Sequence, residues 1–363
     1  MLCIIEANTP KAPSSFELAS TVSRFSRKDE FCKTGQGMIL RVLRRARPNM
    51  WITGLLSIPR LLAEKLWAND QPHLQLPKCR SPTSTWTILD SYPEFTVFQH
   101  HRTIKILLTQ AGSGNLLTLA MVSRLTSLFK EISADRRIFR IVITGEGKYF
   151  CAGMDLREKR PEHSTEHFSA LYNLFEAIDA CPQTTIAAIN GPAFGGGVGL
   201  AFVFDIRIAV LNATMCLSEV KLGLCPATIS RFVVREWGFG LARMAMLSGR
   251  KTYPEELYRM GAIHTIVPDQ ESLPTAVDNW LYDLKFTEPR ASALCKRLVR
   301  DCWRSPGGDV QFQTAQEVFE AMMNENSQSH RGIEDFRKGI RGTDWETVLT
   351  HNVNDKYDTV LDK

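Results

Sequence analysis

The chain predicts an α/β fold in which a largely parallel sheet is covered by helices. Three observations point there. Short apolar, β-branched runs alternate with longer runs of helical period, the strands end on glycine-rich turns, and the last quarter is purely helical in pattern.

The elements follow in order from near residue 95. Thr103–Leu108 alternates apolar and polar positions as a strand does, and Leu116–Ile132 repeats apolar residues at helical spacing. Arg140–Thr144 is a compact β-branched strand that stops at Gly145 and Gly147. Thr165–Ala180 reads as a helix closed by Pro182, and Thr184–Ile189 as a buried strand stopped by Asn190-Gly-Pro192. Strands that alternate with helices favour parallel pairing. From Glu288 onward the pattern is helical and more charged, through Arg290–Trp303 and Gln311–Met323. The division expected is therefore an extension at 1–90, a core at 91–285 and a helical region at 286–363.

The extension differs from the rest. Residues 1–90 carry 13 Lys/Arg against 7 Asp/Glu, whereas the remainder is close to neutral. There is no acid between Glu30 and Glu64, a gap that spans the Arg41–Arg47 run, and Pro72, Pro77 and Pro82 read as a linker. Arg-rich, acid-poor composition suits a mitochondrial targeting segment, although Glu6 and Glu17 precede it. Targeting, disorder and an unusual extension all remain open for this region. A neutral core argues against DNA binding, and RNA binding is not expected. No apolar run approaches the roughly eighteen residues of a membrane span. The nine cysteines include no C-x-x-C pair, which fits free thiols in a reducing, intracellular setting. Mitochondria are favoured by the basic segment, with cytosol and peroxisome as alternatives.

Two glycine-rich segments carry the chemistry. Tyr149-Phe-Cys-Ala-Gly-Met-Asp155 follows a strand and turn, and its small residues Ala152 and Gly153 let a ligand approach the main chain. Asn190-Gly-Pro-Ala-Phe-Gly-Gly-Gly-Val-Gly-Leu-Ala201 is a turn leading into an apolar helix, so Gly195, Gly196 and Gly197 offer N–H groups at a helix start. Two such loops after neighbouring strands can aim two amides at one oxygen and stabilise an oxyanion without a charged side chain. Dinucleotide-binding and P-loop readings fail on spacing.

Together the two segments resemble the enoyl-CoA hydratase/isomerase (crotonase) family, along roughly residues 95–345. Asn115–Met121, Asp205–Ala209, Ser218–Leu224, Leu247–Lys251, Gly261–Pro268 and His330–Lys338 extend the resemblance in order. It implies a spiral of ββα turns with a C-terminal helical region that mediates trimer or hexamer contacts. It also implies an acyl-CoA thioester as substrate and no tightly bound cofactor, coenzyme A entering only as part of that substrate. Carried over residue by residue, the amides of Cys151 and Gly196 hold the thioester oxygen, with Ala152, Gly153, Asp155, Gly195 and Gly199 around the substrate. Phe336 and Lys338 match positions near the coenzyme A.

Hydratases of the family usually carry two glutamates here. This chain has Gly199 at the first position and Glu219 at the second, so Glu219 is the expected acid/base. One carboxylate suffices to move a double bond, whereas hydration is shared most readily by two. Gly197–Leu200 with Ser218–Ser230 also resembles the methylglutaconyl-CoA hydratases, and loss of the first carboxylate is expected to leave space for a branched or carboxylated acyl chain. Hydration is placed ahead of isomerisation, and a non-catalytic CoA- or RNA-binding relative is the reading from another class. Asp155 reads alternatively as a cap carboxylate. His163-Ser-Thr-Glu-His167 fits an inverted zinc-protease pattern but lacks a third ligand, so no metal is expected.

Overall fold

A computed structural model describes residues 84–158, 164–324 and 327–349. The Arg41–Arg47 run, the proline-marked linker, His163 and the chain end beyond residue 349 lie outside the described residues, as does all of the 1–90 extension before Ser84.

The sheet is mixed. β1 (Thr87–Ser91), β2 (Phe95–His100) and β3 (Thr103–Leu108) pair antiparallel in sequence. β4 (Arg140–Gly145), β5 (Thr184–Ile189), β7 (Ile206–Val210) and β10 (Thr265–Val267) then continue from β3 in parallel. Parallel pairing alone describes only the second half. β1 opens four residues before the expected core boundary, and this exposed strand forms a hairpin with β2 that helical alternation does not announce. A smaller sheet holds the two-residue strands β6 (Ala193–Phe194), β8 (Met215–Cys216) and β9 (Lys251–Thr252), too short to leave a periodic trace.

Helices α1 (Leu119–Ala134) and α2 (Ser164–Ala180) pack on each other and bury Met121, Leu125, Phe129, Leu174 and Phe175. Thr118 starts α1 by accepting the Met121 N–H at 3.2 Å, three residues later than the periodicity alone suggests. The short α3 (Gly196–Phe202) is buried from Gly197 to Phe202. α4 (Ser230–Ser248) lies against it and is kinked at Gly238. Aromatic edge contacts fasten α4 to α3 through Phe202 and Trp237, at 5.2 Å between ring centroids, and to α2 through Phe175 and Phe232, at 5.7 Å.

α5 (Pro254–Arg259) and α6 (Leu273–Leu284) cover the β7/β10 edge, followed by α7 (Pro289–Arg304), α8 (Asp309–Met323), α9 (Ser329–Arg337) and α10 (Trp345–Val348). Polar ties fasten this last group. Lys296 donates to the Gln183 carbonyl at 2.8 Å and pairs with Asp205 at 2.7 Å, and the buried Arg140 pairs with Glu346. Inside the core Arg207 is fully buried, and its guanidinium is met by Glu236 at 2.7 Å and by the carbonyls of Ala262 and Phe204.

Candidate active site

The parallel strands β4 and β5 end side by side, and the two glycine-rich segments leave from those ends. Side-chain amides set the first of them. Asn115, buried and held at φ +56°, donates through Nδ2 to the carbonyls of Glu146 (3.1 Å), Tyr149 (2.9 Å) and Phe150 (3.3 Å). Asn190 accepts the Gly145 N–H at 2.9 Å and donates to the Gly147 carbonyl at 3.1 Å. Gln270 donates to the carbonyls of Gly147 (3.1 Å) and Asn190 (2.8 Å). Sequence reasoning assigned none of these three a role. Asn115 and Asn190 were visible only as parts of larger segments, and Gln270 lies far along the chain.

The second segment meets the first through the main chain. The Phe194 N–H donates to the Cys151 carbonyl at 3.0 Å, and Gly195 donates to the Cys216 carbonyl at 3.0 Å. Phe150 and Ala152 donate to the carbonyls of Pro192 and Gly114. Among the described residues, the Gly196 N–H closes no main-chain hydrogen bond of this kind. Of the two amides expected to hold the thioester oxygen, that of Cys151 lies instead in a parallel bridge to Ala193, and the first-loop nitrogen beside Gly196 is that of Met154, 3.5 Å from where a Gly196 Cβ would be. Gly196 opens α3, so the helix dipole adds positive character beside it.

Glycine is required where the segments touch. Gly153 sits at φ +94°, and a Cβ there would stand 2.6 Å from the Phe194 carbonyl oxygen and 3.3 Å from the Gly196 nitrogen. Gly195 sits at φ +47°, and its Cβ would stand 3.0 Å from Glu219 Oε1. That contact places the Glu219 carboxylate over Gly195, next to the Gly196 amide. The route there is short: β8 leaves from the carbonyl that Gly195 binds, and the turn Ser218–Leu222 begins two residues later. Gly223 closes this turn at φ +70°, its N–H directed to the carbonyls of Glu219 and Val220. Glu219 Oε2 is buried without a hydrogen-bond partner, and burial raises the carboxyl pKa above its usual range.

The other expected residues divide. Cys151 is fully buried, and burial pushes its thiol up to about 12, so at neutral pH it is not a thiolate, and its main chain is taken up in the bridge to Ala193. Asp155 is engaged locally: it accepts the Arg157 N–H at 3.0 Å and pairs with the Arg157 guanidinium at 2.7 Å, which holds its carboxyl below the usual range. That is the capping arrangement. Phe336 is exposed with Arg341 over its ring, and Lys338 pairs with Glu334. Among the described residues no cluster of His, Cys, Asp and Glu is placed to bind a metal.

Gly199 overturns one expectation. A Cβ there would stand 2.1 Å from Ile229 Cγ2, 2.7 Å from Ile229 Cβ and 3.2 Å from Phe175 Cζ. The missing carboxylate leaves no space, because Ile229 already fills it.

A family model described as enoyl-CoA hydratase/isomerase matches residues 100–346. The chain is 52% identical over 252 residues to enoyl-CoA hydratase AFT6-1 of Alternaria alternata, covering 69% of this chain and 84% of that protein. It is 53% identical over 259 residues to enoyl-CoA hydratase ACTT6 of the same organism, covering 71% and 86%. A crystal structure of an enoyl-CoA hydratase/isomerase from Marinobacter aquaeolei aligns with a TM-score of 0.63 at 26% identity, over 70% of this chain and 99% of that one. AtuE of Pseudomonas aeruginosa aligns with a TM-score of 0.64 at 29% identity, over 69% and 98%.

Proposed function

The chain belongs to the enoyl-CoA hydratase/isomerase family, and we propose that within it the protein hydrates an enoyl-CoA thioester with Glu219 as the single acid/base. It is an enzyme of that family, and relatives named enoyl-CoA hydratase at 52–53% identity support hydration. The observation that carries the reading is the placement of an unpartnered carboxylate oxygen on Glu219 beside the uncommitted Gly196 amide.

In this reading the thioester oxygen is held by the Gly196 amide together with the neighbouring amide of Met154, whose nitrogen stands 3.5 Å from where a Gly196 Cβ would be. Ionised Glu219 takes a proton from water as the water oxygen bonds to C3. The π pair moves onto the thioester oxygen, where the amides stabilise the enolate. Glu219 then returns the proton to C2 as the enolate collapses.

The sealed position at Gly199 favours a second reading, double-bond isomerisation, since one carboxylate can move a proton from C2 to C4. Purified protein offered crotonyl-CoA, 3-methylglutaconyl-CoA and a 3-enoyl-CoA separates them. Hydration of either of the first two is expected, and exclusive formation of 2-enoyl-CoA from the third would replace hydratase by isomerase. Glu219→Gln is expected to keep the fold and abolish turnover, so a near-wild-type rate would remove Glu219 from the mechanism. Because the base must be ionised and burial raises its pKa, kcat/KM is expected to fall on the acid side at a pH above the usual carboxylate range. An acid limb at or below that range would contradict a buried base.

Exposed apolar residues on the last helices, Phe312, Phe319, Met323, Ile333 and Phe336, with Ile340 just beyond α9, support assembly as a trimer or hexamer. Sedimentation of the purified protein tests this, a monomer being the contrary result. Among the described residues no helix is long and apolar enough to cross a membrane. Mitochondrial placement is proposed from the basic first ninety residues alone.

A further inference from the structure

The segment that carries Glu219 touches α3 at two points. At its start the Glu219 carboxylate lies over Gly195, with Oε1 3.0 Å, Cδ 3.4 Å and Oε2 3.9 Å from where a Cβ would be. At its end Ile229 lies on Gly199, its Cγ2 and Cβ inside the volume that a side chain at 199 would need. Gly195 and Gly199 are four residues apart, about one helical turn and about 6 Å along the axis, and the Gly199 N–H donates to the Gly195 carbonyl at 3.2 Å. The two contacts therefore fall on consecutive turns of one short helix.

Ile229 is also where the segment becomes α4. Its carbonyl accepts the N–H groups of Phe232 and Val233, both at 3.1 Å, so it occupies the N-cap position. Its side chain is 1% exposed, and Phe175, itself edge-on to Phe232 of α4, closes the other side of the notch. A β-branched side chain has one strongly restricted χ1 and cannot swing away from such a seat. Between the two contacts the segment is mostly exposed, as at Val220, Leu222 and Cys225, and supplies little packing of its own.

We propose that Ile229 is a positioning residue for Glu219: its γ-methyl, seated in the notch above Gly199, sets the register of residues 219–229 on α3 and so holds the carboxylate over Gly195 beside the Gly196 amide. The proposal rests on the reading of Glu219 as the acid/base. Ile229 touches neither substrate nor reacting atoms in this role. A misplacement of about 1 Å at a catalytic group can reduce rate by about 100-fold, so a seat that fixes the register governs kcat more than substrate binding.

The test compares side chains of similar bulk but different branching. Ile229→Leu keeps the volume but moves the branch away from Cβ, and Ile229→Val keeps the branch. Ile229→Leu is expected to lower kcat by ~10-fold or more with KM changed by less than ~2-fold, and to move the acid limb of the pH profile. Ile229→Val is expected to retain most of kcat. Gly199→Ala is expected to lower kcat because its methyl displaces Ile229. The pair Gly199→Ala with Ile229→Gly returns a methyl to the notch from the opposite side. That double variant is expected to exceed the product of the single effects by ~10-fold. Wild-type kcat and acid limb in a folded Ile229→Leu, or single effects that simply multiply, would overturn the proposal. So would a loss that vanishes once corrected for the folded fraction. Glu219→Gln separates the two failures. If it stays active, the acid/base reading falls and the positioning role falls with it, whereas an inactive Glu219→Gln beside a normal Ile229→Leu removes only the positioning role.

Discussion

The first loop is held at its approach by side chains reaching in from elsewhere, whereas the segment at 195–199 is held where its glycines carry no side chain. Asn115, Asn190 and Gln270 grip the first loop and its surroundings through eight hydrogen bonds to main-chain groups, one of them from Gln270 to the Asn190 carbonyl. The second packs by backbone contact. A Cβ on Gly197 would stand 2.1 Å from the Cys151 carbonyl oxygen, and one on Gly199 would meet Ile229 at the same distance. Where the two meet, the Gly196 N–H closes no main-chain hydrogen bond among those of the described residues, and the Met154 nitrogen lies beside it. The polar clamp tolerates partial loss, since each bond is a separate contribution, but the close-packed one has no intermediate state.

The sharpest way to break this contrast is Gly197→Ala. One methyl drives the two loops apart, and the expected outcome is about 3 kcal/mol of destabilisation or more and a loss of about 100-fold in kcat. Chemical denaturation and steady-state kinetics read both. A folded, active variant would mean that the loops are not fixed by backbone contact.

Asn115→Ala should be milder. It removes a donor from three carbonyls, that of Phe150 buried and the other two partly so, and places alanine at φ +56°, so about 2–3 kcal/mol and about 10-fold in kcat are expected. Asn115→Gly sharpens the result, because glycine accepts that φ freely. If it restores stability fully, backbone conformation and not the clamp is what asparagine supplies. Gln270→Ala tests the exposed end of the same clamp. A loss of about 1 kcal/mol or less is expected, with kcat within about 3-fold by comparison with Asn115. A larger effect would place the anchor of the first loop at Gln270.

The same contrast explains what could be read in advance. Glycine triplets and strands of β-branched residues are local patterns, so β3, β4, β5 and the two segments were legible, whereas Glu219 was singled out by the family resemblance, because β8 before it is too short to leave a periodic trace. Asn115 bonds to residues 31–35 positions away and Gln270 to one 123 positions away, and such partners leave no periodic mark. The hairpin of β1 and β2 escaped for a related reason. All of β1 is exposed, so burial imposes no alternation on it. Gly199 was misread because a sequence shows a missing side chain but not the neighbour that fills its place. Residue 229 is thirty positions away, and only the fold brings it there.

The seat of Ile229 on Gly199 also constrains how this site can change over generations. A carboxylate cannot be gained at position 199 by one substitution, because its Cβ would coincide with the isoleucine methyl. Shrinking residue 229 first empties the notch and, if the seat registers Glu219, weakens the existing acid/base before a second one arrives. Either single step passes through a poorer enzyme. The two positions are thus expected to vary together or not at all, and the single-glutamate state is one that selection can enter more readily than leave.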